Sequence, residues 1–291
     1  MTMILDRILT GLVYLMAFYL LFFIGKWVHD VLNRRYRITH ELVENDNPAV
    51  AIALVGYYAG LAICIGGAIA GPSLGIADDL IDLAIYGSLG IVLLNLSVMI
   101  CDRLILNQFN VDDELIQDRN AGTGAVRLGV CMASGLVLYG AISGEGGTVW
   151  TAIVFWAIGQ ALLVAASRLY NLITSYSIHD EIEKDNVAAG TSFAGALIGF
   201  GLVVGLAAEG DFHSWGSDLP GYVALALVGL VMLPMIRWLT DKLLLPTVHL
   251  ADEILGVDRH QQPTEHGPNL GAAFIEAFSY ISAGWVIYWC V

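Results

Sequence analysis

One short pattern returns four times along this chain and constrains its fold more than any other feature. An aliphatic residue, two spacers, a glutamate and a second aliphatic residue occur as Ile38/Glu41/Leu42, Val111/Glu114/Leu115, Ile178/Glu181/Ile182 and Leu250/Glu253/Ile254. An asparagine follows each time (Asn47, Asn120, Asn186 and Asn269) and opens an apolar, glycine-rich run. The period is roughly 70 residues, the mark of a repeated supersecondary unit. The third copy, IHDEIEKDNVAAGTSFAGALIGFG from Ile178, is the most regular, and the fourth is interrupted by DRHQQPTEHGP.

The apolar runs set the solvent. About 20 apolar residues carry a helix across a bilayer. Eight stretches qualify: Ile8–Val28, Pro48–Ala70, Leu80–Ile100, Gly122–Ile142, Val149–Leu172, Val187–Ala208, Leu219–Leu243 and Leu270–Trp289. A mean hydropathy of +0.70 and a charged fraction of 14% agree with a polytopic membrane protein. Each copy then reads as span, acidic connector, span, and two spans return the chain to its starting side. The expected fold is an all-α integral membrane protein of eight transmembrane helices, arranged as four parallel two-helix units with short interfacial amphipathic connectors. Two four-helix membrane units, residues 1–145 and 146–291, follow as its domains.

Lys26, Arg34, Arg35, Arg37, Arg103, Arg119, Arg168, Lys184, Lys242 and Arg259 all fall on the connector side. The opposite side has Arg7 as its one basic residue, among Asp78, Asp79, Asp82, Glu145, Glu209, Asp211 and Asp218. The positive-inside rule predicts cytoplasmic connectors and two periplasmic termini. The net charge of -14 argues against a nucleic-acid partner. Cys64, Cys101, Cys131 and Cys290 have neither disulfide nor zinc spacing and read as small membrane hydrophobes.

Odd and even spans differ in kind. The first, LVYLMAFYLLFFIGKW, is bulky and aromatic, whereas the even spans carry small residues four apart, such as Gly56/Gly60 and Gly195/Gly199. Small residues let helix backbones approach in lipid, so the even helices are expected inside and the odd ones against lipid. Pro234 predicts a kink in the seventh span.

The connectors carry most of the candidate function. Asn47, Asn120, Asn186 and Asn269 suit helix N-caps. Glu41, Glu114, Glu181 and Glu253 could form an acidic ring at a cytoplasmic mouth, which would attract cations, or could simply face water. Aligning the copies on their asparagines places Arg127 and Glu276 at equivalent depths, seven residues beyond Asn120 and Asn269, with opposite charge. Buried charges pair or face a cavity, so a direct Arg127–Glu276 contact is expected. Asp102-Arg103 and Asp241-Lys242 also occupy equivalent places at the ends of odd spans. His260, Glu265 and His266 have the residue types of a metal site but weak spacing. No nucleophile motif, phosphate loop or haem signature is present, so neither an enzyme nor a bound cofactor is expected.

The connector and helix from Asp180 to Leu202, DEIEKDNVAAGTSFAGALIGFGL, resemble the YjfL-like family of bacterial inner-membrane proteins, whose UPF0719-type domain has no known function. Short members look like one half of this chain, so the resemblance implies two units in tandem. It further implies an inner-membrane location and gene neighbourhoods linked to envelope stress, and it implies no activity. The acidic connectors and intramembrane charges point first to a channel or transporter for protons or small cations; the alternative is a structural or lipid-organising membrane protein linked to envelope stress. The lipid bilayer is the partner in both, and a homo-oligomer is compatible with either.

Overall fold

The computed structural model describes residues 2–35, 37–73 and 75–290. Long helices alternate with six-residue ones, and the order long, short, long recurs four times. The elements are α1 (Thr2–Leu32), α2 (Ile38–Val43), α3 (Pro48–Ala70), α4 (Ile76–Ile100), α5 (Val111–Ile116), α6 (Ala121–Ile142), α7 (Val149–Ile173), α8 (Ile178–Glu183), α9 (Val187–Ala208), α10 (Trp215–Leu239), α11 (Leu250–Leu255) and α12 (Leu270–Cys290). Two π-helical turns, Cys101–Ile105 and Thr240–Leu244, extend α4 and α10. Eight of these helices are long and apolar enough to cross a membrane. The described residues hold no strand, only an isolated bridge between Val257 and Pro263.

The long helices form two rows. The inner row runs in chain order: α3 packs on α6, α6 on α9, and α9 on α12. The outer row holds α1, α4, α7 and α10. Within it α4 wedges between α3 and α6, α7 between α6 and α9, and α10 between α9 and α12. Burial follows this arrangement. α9, in mid-row, is almost wholly enclosed, while α12 at the row's end is largely exposed, as α1 is. Row position therefore decides burial as much as the odd–even distinction. Even α1 is not uniformly lipid-facing, because Leu21 is buried and Ala17, Phe18 and Phe22 pack around it.

Glycine sets the inner spacing. A Cβ at Gly129 would stand 2.6 Å from Ala194 Cα, one at Gly201 2.6 Å from Ala133 Cα, and one at Gly135 2.5 Å from the Gly60 carbonyl. Gly195 and Gly199 press on the backbones of Ala277 and Tyr280. In lipid, dispersion contact at this range replaces the hydrophobic drive that holds soluble helices together.

On α9, Gly190, Gly201 and Gly205 face α6, while Gly195 and Gly199 face α12. At about 100° per residue, these two faces are roughly 135° apart around the helix. Four helices close into a ring only if that angle is about 90°. The inner row is therefore an open arc. Its helices run parallel: Gly122 at the start of α6 lies against Asn186 and Gly190 at the start of α9, and Gly140 near its end against Gly205. α10 contains Pro234, and the π turn from Thr240 follows it directly.

Candidate functional site

Each connector helix is joined to the long helix after it by its asparagine. The Asn Oδ1 accepts the first free amides of that helix: Ala49 and Val50 N–H on Asn47, Thr123 N–H on Asn120, Ala189 N–H on Asn186 and Ala272 N–H on Asn269. Capping, expected from sequence, is thus present four times. The side-chain amide does two further jobs. One N–H bonds the glutamate of its own copy: Asn47 to Glu41 at 3.2 Å, Asn120 to Glu114 at 2.7 Å, Asn186 to Glu181 at 3.1 Å and Asn269 to Glu253 at 2.7 Å. In the first three copies the amide also reaches the next connector, donating to the carbonyls of Leu115 (2.8 Å), Ile182 (2.5 Å) and Ile254 (2.9 Å). An amide offers one acceptor and two donors, and all of them are used. A residue with positive φ, Asp46, Arg119 or Asp185, makes the tight turn before the first three asparagines.

These bonds revise the acidic ring. The glutamates stand along an arc, and each is held by an asparagine at the start of an inner helix, where the dipole's positive end favours a carboxylate. Glu41 and Glu114 are buried, not facing water. Burial pushes the Glu114 carboxyl up, the Asn120 amide lowers it, and Asp118, Asp185 and Glu183 raise it again.

The expected Arg127–Glu276 pair is replaced by two separate pairs, one in each half. Arg127 grips Asp102 from the π turn of α4 in a bidentate contact, with Nη2–Oδ2 at 2.5 Å and Nε–Oδ1 at 3.2 Å. Glu276 accepts from Arg237 of α10 and from the Tyr170 hydroxyl at 3.2 Å. The Arg237 guanidinium also lies 5.8 Å from the ring centroids of both Tyr170 and Tyr176. Glu276 is fully buried, and its Oε2 has no hydrogen-bond partner among the described residues. The reason is the row order: α6 and α12 are separated by α9, so neither charge can reach the other, and each turns to the outer helix of its own copy.

Aligning the copies marks Asp102 but not what it binds. Asp241, its aligned counterpart, instead accepts the Leu250 N–H at 2.8 Å and steadies the fourth connector. Arg237 is the partner that the alignment misses, a basic residue one turn deeper than the aligned position. In the first copy the corresponding place holds His29, buried and tilted against the Tyr57 ring at 4.1 Å between centroids. Among the described residues no group of three His, Cys, Asp or Glu could hold a metal ion, and His260, Glu265 and His266 form no such cluster.

Two cavities flank this framework. One, of about 450 Å³, reaches Arg237 from beside the fourth connector, past Asp241, His249 and Asp252. The other, of about 470 Å³, opens on the far face beside Asp79, Asp82 and Glu145, where Asp79 accepts the hydroxyls of Ser73 and Tyr14.

A family model described as Domain of Unknown Function (DUF350) matches the chain twice, over residues 3–142 and 146–291. A protein of Aquifex aeolicus (strain VF5) described as a UPF0719 transmembrane protein is 23% identical over 267 residues, covering 90% of this chain and 93% of its own length. No solved structure matches. The connector pattern and its asparagine joints therefore lie within a tandem pair of recognised units, and the chain belongs to the DUF350 (UPF0719) family of transmembrane proteins.

Proposed function

We propose that this protein is a structural, lipid-organising component of the bacterial inner membrane, with its connectors in the cytoplasm and both termini in the periplasm. One observation carries this reading: the inner helices meet backbone to backbone at three successive interfaces, and asparagine bonds clamp three of those joints at the connector face. Such a framework resists the rocking that alternating access requires. The one-sided Lys and Arg distribution supports the orientation.

A second reading, transport of protons or small cations, is favoured by the half-buried Arg127–Asp102 pair and the buried Arg237–Glu276 pair, since charges at membrane depth often mark ion paths. Reconstituted protein under an imposed proton, potassium or sodium gradient separates the two readings. The structural role predicts flux equal to that of empty vesicles. Flux that disappears in Glu276→Gln would establish transport.

Orientation has its own test. In a Cys290→Ser background, cysteines at Glu145 and Ser214 should react with an impermeant thiol reagent outside spheroplasts, and cysteines at Glu44 and Glu183 should not. Labelling of the connector positions would reverse the topology.

A further inference from the structure

The inside of the inner arc holds a groove that no other feature described above explains. It has a volume of about 320 Å³ and lies in the last turns of the inner helices, at the end remote from the connectors. All four inner helices line it: Ile63 from α3, Leu136 from α6, Leu202 from α9 and Trp285 from α12. Gly66 opens it further, because a Cβ there meets nothing within 4 Å. At its mouth stands Glu209, which caps the end of α9 and accepts the Tyr288 hydroxyl at 3.3 Å. Tyr139 completes the rim.

We propose that this groove binds an acyl chain of an amine-headed phospholipid from the leaflet remote from the connectors, with the ammonium beside Glu209. The aliphatic floor suits a hydrocarbon chain, and the tyrosines lie where interfacial aromatics sit at headgroup level. Charge selects the head. The inner helices run parallel, so their four C-termini, each carrying the negative end of a helix dipole, converge on this mouth. The loops assigned to the same side of the membrane carry Asp78, Asp79, Asp82, Glu145, Asp211 and Asp218, with Arg7 as their one basic residue. An anionic headgroup is repelled there and an ammonium attracted. The proposal rests on the structural reading above and gives it a lipid class.

The test uses the full chain in bilayers of phosphatidylethanolamine and phosphatidylglycerol, equimolar and with identical acyl chains. After extraction in mild detergent, bound lipid is counted by mass spectrometry. The wild type should retain phosphatidylethanolamine several-fold over phosphatidylglycerol. Glu209→Gln, at a helix end outside the close-packed core, should lose that preference while keeping a bound lipid. Ile63→Trp, which fills the groove, should lower the number retained. A wild-type ratio equal to the bulk, a preference for phosphatidylglycerol, or a preference unchanged in Glu209→Gln overturns the proposal. A dimer carrying no lipid would place a second copy in the groove and overturn it as well. Ion flux in the vesicle assay would overturn the structural reading instead, so the two failures are distinguishable.

Discussion

A single asparagine per copy does three things at once, and substitutions can separate them. Asn186→Ala removes the cap on α9 and the bonds to Glu181 and the Ile254 carbonyl. Asn186→Asp keeps an accepting oxygen for the cap but turns the donor into a second acceptor against a carboxylate and a carbonyl. The aspartate should therefore be the worse variant at neutral pH, by about 1–3 kcal/mol from groups left unsatisfied. It should recover partly on acidification, when it can donate again. Thermal unfolding in detergent at two pH values reads this out, and equal melting temperatures for the two variants would show that the amide's donors do not matter. Glu114 predicts a pH dependence of the same sign in the unmodified protein. Its burial and acidic neighbours raise its folded pKa, so the folded state holds the proton more tightly than the unfolded chain. Its contribution is favourable at low pH and is lost as pH rises through the folded value. Glu114→Gln should melt with the wild type at low pH and above it at neutral pH. The intramembrane charges give a third test. Glu276→Gln leaves Arg237 without its counter-charge, at a cost of about 3–5 kcal/mol for a dry site. A double-mutant cycle of Arg237 with Glu276 should show strong coupling, whereas Arg127 with Glu276 should be additive within about 0.5 kcal/mol.

At the scale of elements, helix ends were legible because their chemistry is local. Pro48–Ala70 and Val187–Ala208 stand where Asn47 and Asn186 and the apolar runs put them. The π turns were not legible. Nothing in Cys101–Ile105 distinguishes a widened turn from the last turn of an α-helix, and the widening shows in the bond from Leu106 N–H to the Cys101 carbonyl. Inner spacing yields a direct prediction. Gly195→Leu should destabilise the protein by about 1–3 kcal/mol or more, because the backbone of Ala277 cannot give way as a side chain can. Gly11→Leu is the matched control, with open space around it. Equal melting temperatures for these two variants would contradict the inner row. Ala17 would be a poor control, since it packs against the buried cluster around Leu21 and Tyr57.

At the scale of the molecule, an open row raises the question of what stops it at four helices. Interior joints place glycine at matching positions on both faces, as at Gly129 and Gly195 toward the next helix and at Gly135 and Gly201 toward the previous one. Extending the row would bring α12 of one chain against α3 of another. The aligned position on α3 holds Ala62, still small, but the one on α12 holds Phe278, a ring that stands largely exposed. Bulk on one side is enough to hold two backbones apart, so the fourth helix ends the row. The joint can be probed without removing that ring. Ala133 and Gly201 meet at the interior interface, and Ser282 and Ala62 are their counterparts at a joint between chains. Ser282→Cys with Ala62→Cys, in a background free of the four native cysteines, should form no disulfide between chains. A cross-linked ladder on a non-reducing gel would show that the row continues.

What the sequence determined by itself was everything carried by local or periodic signals: eight spans, four connectors, the caps, and which helices hold glycine. These depend on hydropathy, on capping chemistry and on spacing along one chain. Only the tertiary structure decided which charges meet. Arg127 and Glu276 share a depth and have opposite signs, which is all that an alignment can report. Whether they touch depends on the angle at which successive helices turn about one another. At roughly 135° between the two glycine faces, the row stays open and α9 stands between α6 and α12. That angle sends each charge to its own outer helix, spreads the glutamates along an arc, and leaves a groove where a closed bundle would have had a packed axis.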